Sequence, residues 1–198
     1  MFISFEGIDG CGKTTQIHLI NEYLTKLGHK VITVREPGGT SISEKIRNIL
    51  LDKNNNICDI AELFLFEAAR AELIHNVIKP AIASGKVVLS DRFIDSTLAY
   101  QGYGRGLDIH SINMLNAVAT NNLIPDITFY LQLPLTIAKQ RCNKNSPDRM
   151  EQSGDDFLQK VIDGFDFIAH SNTKRIVVID ATQSINKVFE DIIKKFFI

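Results

Sequence analysis

Residues Gly7 to Thr14 read Gly-Ile-Asp-Gly-Cys-Gly-Lys-Thr, a complete G-x-x-x-x-G-K-[ST] spacing. That pattern forms a loop whose backbone N–H groups close around phosphate oxygens. Lys13 places a cation at the β and γ phosphates, and the Thr14 hydroxyl can ligate Mg²⁺. Gly7, Ile8, Asp9, Gly10, Cys11, Gly12, Lys13, Thr14 and Thr15 are therefore the candidate triphosphate site. An ordinary glycine turn is the bland alternative. Against it, an apolar β-type run, Met1 to Phe5, precedes the loop and a helical pattern follows, so a helix N-terminus adds its positive end to the cradle.

Two loop residues are unusual. A carboxylate inside a phosphate cradle repels polyphosphate, so Asp9 either points away as a loop-shaping acceptor or binds a group that carries a donor. Cys11, beside a helix N-terminus, has either a lowered thiol pKa or the role of a small loop residue in place of Ser or Ala. A second element follows. Val87-Val88-Leu89-Ser90-Asp91 is an apolar run ending in a carboxylate, suited to hold Mg²⁺ directly or through water. An Asp at a strand end is commonly a turn or cap residue, but a phosphate loop in the same chain favours the metal role for Asp91 beside Thr14.

The elements that must position these groups are legible as alternating patterns. Met1 to Phe5, Val31 to Val34, Val87 to Ser90, Ile127 to Leu133 and Ile176 to Ile179 predict strands, and helices between them predict a parallel sheet of the α/β class. The first helix carries Ile17, Ile20, Leu24 and Leu27 on one face and ends at Gly28. A second begins near Ser41 or Ser43, with Glu44 closing a capping box on Ser41, and buries Ile42, Ile46, Ile49 and Leu50. A third runs from about Asp59 to Ala83. Its Leu63-Phe64-Leu65-Phe66 covers the helix circumference, so burial on every side by a ligand or partner subunit is expected.

The 198 residues suit one well-packed domain, 1–198. A net charge of -1 with no basic block argues against nucleic acid as partner. Cys11, Cys58 and Cys142 are odd in number and widely spaced, indicating neither a disulfide framework nor a zinc site, and the five histidines show no ligand spacing. With no membrane-length apolar run and a first strand at residue 2, a cytoplasmic protein is expected.

Four blocks together carry a family resemblance: Phe5-Glu6-Gly7 with its loop, Arg35-Glu36-Pro37-Gly38-Gly39-Thr40, Leu65-Phe66 to Arg70, and Asp91-Arg92-Phe93 to Tyr100-Gln101-Gly102. In order and spacing, nearly end to end, the chain resembles the bacterial thymidylate kinases. The resemblance implies a P-loop NTPase fold, a five-stranded parallel sheet flanked by helices, with a mobile lid at about 141–151. It also implies transfer of the γ-phosphoryl of MgATP to thymidine monophosphate, dTMP, and a homodimer. A dTMP phosphate, with its second pKa near ~6, is already a nucleophile at neutral pH, so arginines, Mg²⁺ and a lid matter more than a general base.

By the same resemblance, Lys13, Asp91, Arg92 and Arg149 form the catalytic set, and Thr14 with Asp91 holds the metal. Arg92 holds the acceptor phosphate, Arg35, Pro37 and Arg47 support the monophosphate site, and Asp9 faces the 3′-hydroxyl. Phe66 stacks on thymine, although core packing stays open for it, while Arg70 and Gln101 give hydrogen bonds to the base edge. Thr97 and Tyr100 border base and sugar, with Tyr100 crowding a ribose 2′-hydroxyl. Gly10 and Cys11 put no basic residue in the loop, so positive charge falls to the lid, Arg141 to Glu151, with Arg141 on the ATP side and Arg149 at the phosphates. Gln132 stands where many relatives carry Asp.

Other classes fit less well. A GTP-hydrolysing switch needs Asn-Lys-x-Asp, and Asn143-Lys144-Asn145-Ser146 lacks the Asp. A kinase for another nucleotide or a deoxynucleoside differs only in what faces Phe66, Arg70 and Gln101. A silent nucleotide-binding protein has little use for Asp91, Arg92 and Arg149 together.

Overall fold

A computed structural model describes residues 1–142 and 149–196; the rest of the expected lid, with Lys144 and Asp148, lies outside the described residues. The apolar runs lack the alternation of a half-exposed strand, which suits a sheet covered on both faces. Strands β1 (Phe2–Glu6), β2 (Val31–Arg35), β3 (Val87–Asp91), β4 (Ile127–Gln132) and β5 (Ile176–Asp180) form one parallel sheet in the order β2-β3-β1-β4-β5. Register fixes the site: Phe5 pairs with Asp91 and Asp91 with Arg35, so the ends of β1, β3 and β2 lie side by side. Ligands of such sheets bind beyond the strands' carboxyl ends.

Alternate strand residues feed two apolar layers. Ile3, Phe5, Leu89, Phe129 and Leu131 pack with α1 (Lys13–Lys26), α8 (Asp155–Ser171) and α9 (Ile185–Phe196). Phe2 and Val88 pack on the opposite face with Phe93, with Leu73 at the end of α3 (Asp59–Leu73), and with Ile74 and Ile78 just beyond it. In α1, Ile17, Ile20 and Leu24 are buried as expected, but Leu27 is exposed because it sits past the last full turn as the C-cap residue. Gly28 follows at φ 88°, a left-handed closing conformation that suits glycine.

The second helix departs further from expectation. In α2 (Ser41–Leu51), Thr40 is the N-cap and accepts the Ser43 N–H at 3.0 Å. Glu44 does not close a box on Ser41. Its carboxylate accepts the Gly39 N–H at 2.8 Å instead. Ile42 and Ile49 are exposed, and the buried side is Ser43 and Leu50, because Ser43 Oγ donates to Ala69 O of α3 at 2.8 Å.

The third helical stretch spans the expected range but in three pieces: α3, a π-helical turn at Ile74–Ile78 and α4 (Lys79–Ala83). Pro80 has no N–H to give the preceding turn, and the ladder widens just before it. Within the single chain burial is one-sided: Leu63 is buried, Phe66 half-buried against the inner pocket and Phe64 exposed, which leaves the remaining face available to a partner subunit.

After β3, α5 (Ile94–Thr97) opens into a wide π-helical segment, Leu98–Gly104, and α6 (Ile109–Thr120) follows. On that segment α8 packs closely: a Cβ at Gly164 would lie 2.7 Å from the Tyr103 ring. Between β4 and α8 lie α7 (Leu135–Arg141) and a short 3₁₀ turn, Glu151–Ser153. Among the described residues no helix is long and apolar enough to cross a membrane.

Candidate active site

The loop after β1 is held in shape by its own lysine. Lys13 Nζ donates to the carbonyls of Gly7 at 3.0 Å and Ile8 at 3.2 Å. Gly7 has φ 134°, and a Cβ there would sit 2.8 Å from Leu131 O, so only glycine lets β1 turn against β4. Cys11 is buried and burial pushes its thiol up, with Lys13 and Arg92 too weak to reverse it, which favours the small-residue role. Thr14 Oγ1 donates to Asp91 Oδ2 at 3.0 Å, so the two expected metal residues meet beside Lys13.

Arg92 follows Asp91 in a left-handed conformation, φ 72°, rare for a non-glycine residue. Its head donates to Gly7 O at 2.9 Å and Asp9 Oδ1 at 2.8 Å, and its Cζ lies 5.1 Å from the Tyr100 ring centroid. The Asp9 carboxylate thus faces the guanidinium across from it. Burial works against the Arg92 charge, but Tyr100, Asp9 and Asp91 outweigh it and hold its pKa above the usual value. The turn is pinned from below by Glu6, which accepts Phe93 N–H at 2.7 Å and Ser96 Oγ–H at 2.6 Å. Burial, with Asp95 nearby, raises the Glu6 carboxyl to about 8.

Two cavities meet over this pair. A groove of about 870 Å³ is lined by Gly10, Gly12, Lys13, Thr14, Thr15, Asp91, Arg35 and Arg141. A tighter pocket of about 130 Å³ is lined by Pro37, Phe66, Arg70, Thr97, Tyr100 and Gln101. Asp9, Glu36, Arg47 and Arg92 line both. The structure thereby gathers nearly all the expected nucleotide residues into two joined compartments. Arg141 Nη1 donates to Ala181 O at 2.9 Å at the groove's far end, and Arg47 Nη1 donates to Pro37 O at 2.9 Å where the cavities join. Arg35 sits half in solvent, its Nη2 held by Glu44 at 2.9 and 3.0 Å.

Arg70 is placed differently from a free base-edge donor. It is 2% exposed and every guanidinium N–H is engaged. Glu36 Oε2 takes Nε at 2.8 Å and Nη2 at 2.7 Å, Phe93 O takes Nη2 at 3.1 Å, and Glu67, Thr97 and Asn116 share Nη1. Burial disfavours its charge, and the Glu36 and Glu67 carboxylates outweigh that and keep it cationic. Around it, Glu36 Oε1, Glu67 Oε2 and Asn116 Nδ2 are buried with no hydrogen-bond partner among the described residues. Glu36 alone of the three lines the cavities, and its unmet Oε1 suits a ligand that brings a donor.

Arg149 is not brought to the phosphate loop. Its Nη1 lies 2.7 Å from Glu62 Oε2 and its Nε donates to Leu50 O at 2.7 Å. Glu62 is wholly buried and outcompetes solvent for that guanidinium. Gln132 Nε2 donates to Asp166 Oδ1 at 2.8 Å, beside Tyr130 OH on the same oxygen, so an acid at 132 would face a second carboxylate. Glu6, Glu36, Glu62 and Arg105 shape the site yet escape sequence reading. The available signal was an acid closing β1, an acid just after β2 and one acid within an apolar helix.

A lysine cradled by a glycine loop at the carboxyl end of the central strand of a parallel five-stranded sheet, opening on a second compartment, defines a P-loop kinase of the nucleoside monophosphate class. Comparison narrows it. The thymidylate kinase profile matches residues 5–192. The thymidylate kinase of Thermoanaerobacter sp. (strain X514) is 48% identical over 192 residues, covering 97% of this chain and 95% of its own. That of Prosthecochloris aestuarii (strain DSM 271 / SK 413) is 52% identical over 192 residues, with 92% and 86% covered. The crystal structure of thymidylate kinase from Ehrlichia chaffeensis matches with a TM-score of 0.83 and 40% identity, covering 99% of this chain and 98% of that one. The chain belongs to the thymidylate kinase family.

Proposed function

We propose that the chain, as one kinase unit over residues 1–198, transfers the γ-phosphoryl group of MgATP to dTMP, giving dTDP and ADP. The observation that carries this is the sharing of Asp9, Glu36, Arg47 and Arg92 by two cavities, so that a triphosphate on the loop and a monophosphate in the pocket meet at Arg92.

The oxygens of Thr14 and Asp91 are hard donors at the groove, which fits Mg²⁺ held by one or two protein groups and the substrate phosphates. When bound, the ion neutralises charge between the β and γ phosphates. Lys13, freed from the loop carbonyls, does the same from the protein side. Arg92, with Arg47 and Arg35 near it, offsets the repulsion between the two anions, and no general base is needed for a phosphate dianion. Asp9 orients Arg92 and faces the sugar. Phe66 supplies a stacking ring and Gln101 and Thr97 the polar edge, with Arg70 behind them holding Glu36 and Thr97 in place. Arg141 borders the ATP end.

The protein acts in the cytoplasm, without nucleic acid or membrane as partner. Exposed Ile60 and Phe64 on α3 and Met114 and Val118 on α6, each pair one turn apart, favour a homodimer through these helices. One assay tests the reaction: ADP release from MgATP with the monophosphates of thymidine, deoxyuridine, deoxycytidine and adenosine. Thymidine monophosphate is expected to turn over fastest; turnover with the adenine nucleotide alone sinks the assignment.

A further inference from the structure

Glu62 is an acid in an apolar stretch of α3, fully buried, and its two oxygens share Arg105 but differ in their second partner. Oε1 accepts the Gln101 amide Nε2–H at 2.9 Å and Arg105 Nε–H at 3.2 Å. Oε2 takes Arg105 Nη2 at 3.1 Å and Arg149 Nη1 at 2.7 Å. Burial alone would raise this carboxyl, but the hydrogen bonds from Arg105, Gln101 and Arg149 outweigh it and hold it below the usual carboxylate range. At neutral pH Glu62 is therefore an ionised group with nothing to donate.

That removes one orientation of Gln101. A flipped amide would set a carbonyl oxygen against a carboxylate oxygen at hydrogen-bond distance, repulsive and unsatisfied in a buried place. Only the amino group can face Glu62, which leaves the amide's carbonyl oxygen as the free acceptor of a residue that lines the inner pocket. Thymine offers N3–H, a donor; cytosine offers a bare N3, an acceptor. An amide locked with its oxygen free accepts from the first and opposes the second, whereas a rotating amide serves both.

We propose that Glu62 is a specificity-determining positioning residue, which sets the pyrimidine preference of the monophosphate site by fixing the Gln101 amide without touching substrate itself. The proposal rests on the dTMP-kinase reading. It is tested by the ratio of kcat/KM for dTMP to that for deoxycytidine monophosphate, in the wild type and in Glu62→Gln and Glu62→Asp. The Asp variant keeps a charge for Arg105 and Arg149 while drawing the oxygens back from Gln101, so it reports if the Gln variant fails to fold. The ratio is expected to fall by about tenfold or more, the KM for dTMP rising and that for the cytosine nucleotide falling, with kcat for dTMP kept within about threefold. In a Gln101→Ala background the same substitutions should leave the ratio within about twofold. An unchanged ratio in a folded Glu62 variant, an equal fall for both substrates, or a fall that persists without Gln101 overturns the proposal. Failure of the wild type to use dTMP overturns instead the function on which it rests.

Discussion

Asp9 Oδ1 lies 2.8 Å from Arg92 Nη2, tying the phosphate loop to the turn after β3 across 83 residues of chain. The contact explains how a loop meant for anions tolerates a carboxylate: its charge is directed at a guanidinium standing between the two cavities. Replacing Arg92 by Lys keeps the charge and loses the planar fork that spans Gly7 O and Asp9. Arg92→Lys is expected to lower kcat/KM for dTMP about a hundredfold or more, and Asp9→Asn about tenfold, in steady-state ADP-release assays. Near-normal turnover in the Arg92 variant would remove it from the phosphate-binding set.

Glu6 gives a pH signature. Its carboxyl titrates at about 8 in the fold, raised first by burial and then by Asp95, whereas in the unfolded chain it titrates in the ordinary carboxylate range. Between those values the folded protein keeps a proton that the unfolded chain has lost. Its contribution is therefore full at acidic pH and is lost as pH rises through about 8. Glu6→Gln should flatten the decline of the thermal midpoint between pH 5 and 8, because an amide can still accept from Phe93 N–H and donate to Ser96. A decline as steep as wild type in calorimetry would show that Glu6 is ionised throughout.

An i, i+4 apolar pair is exposed on each of two neighbouring helices, Ile60 with Phe64 and Met114 with Val118. Phe64→Glu puts a charge on that face without disturbing Leu63, which points to the core. Sedimentation should show the wild type as a dimer and Phe64→Glu shifted to monomer at micromolar concentration. Identical sedimentation of both would place the dimer elsewhere or exclude it.

How much of this was legible beforehand depends on how local the cause is. Gly7 to Thr14 take their shape from contacts within one loop, and Asp91 is placed by strand pairing with Phe5, so both are readable from sequence. Leu27, Ile42 and Ile49 are not, because an apolar residue on a helix face is buried only where another element arrives, and α3 meets α2 on the Ser43 side. The site acids failed for a related reason. Glu62 draws its partners from Gln101, Arg105 and Arg149, all distant in sequence, and only the folded chain shows that one carboxylate serves all three. Arg70 lines the pocket, yet its saturation by Glu36, Glu67, Thr97 and Asn116 has no sequence signal.

Arg149 is the residue whose position departs most from the sequence expectation. By its position in the lid segment it belongs at the transferring phosphates, where its loss would lower kcat and spare monophosphate affinity. In the structure it is 12% exposed, with Glu62 and Leu50 O as its partners, one carboxylate away from Gln101. Leaving that place strips a buried carboxylate of one of its two cations, a cost on the order of several kcal/mol unless Arg105 compensates. Arg149→Ala is therefore expected to act through Glu62, raising the KM for dTMP about tenfold with a smaller change in kcat. Arg149→Lys, which keeps one charged contact, should recover part of that loss. A hundredfold fall in kcat at unchanged KM would instead show that the guanidinium leaves Glu62 during turnover and meets the phosphates after all.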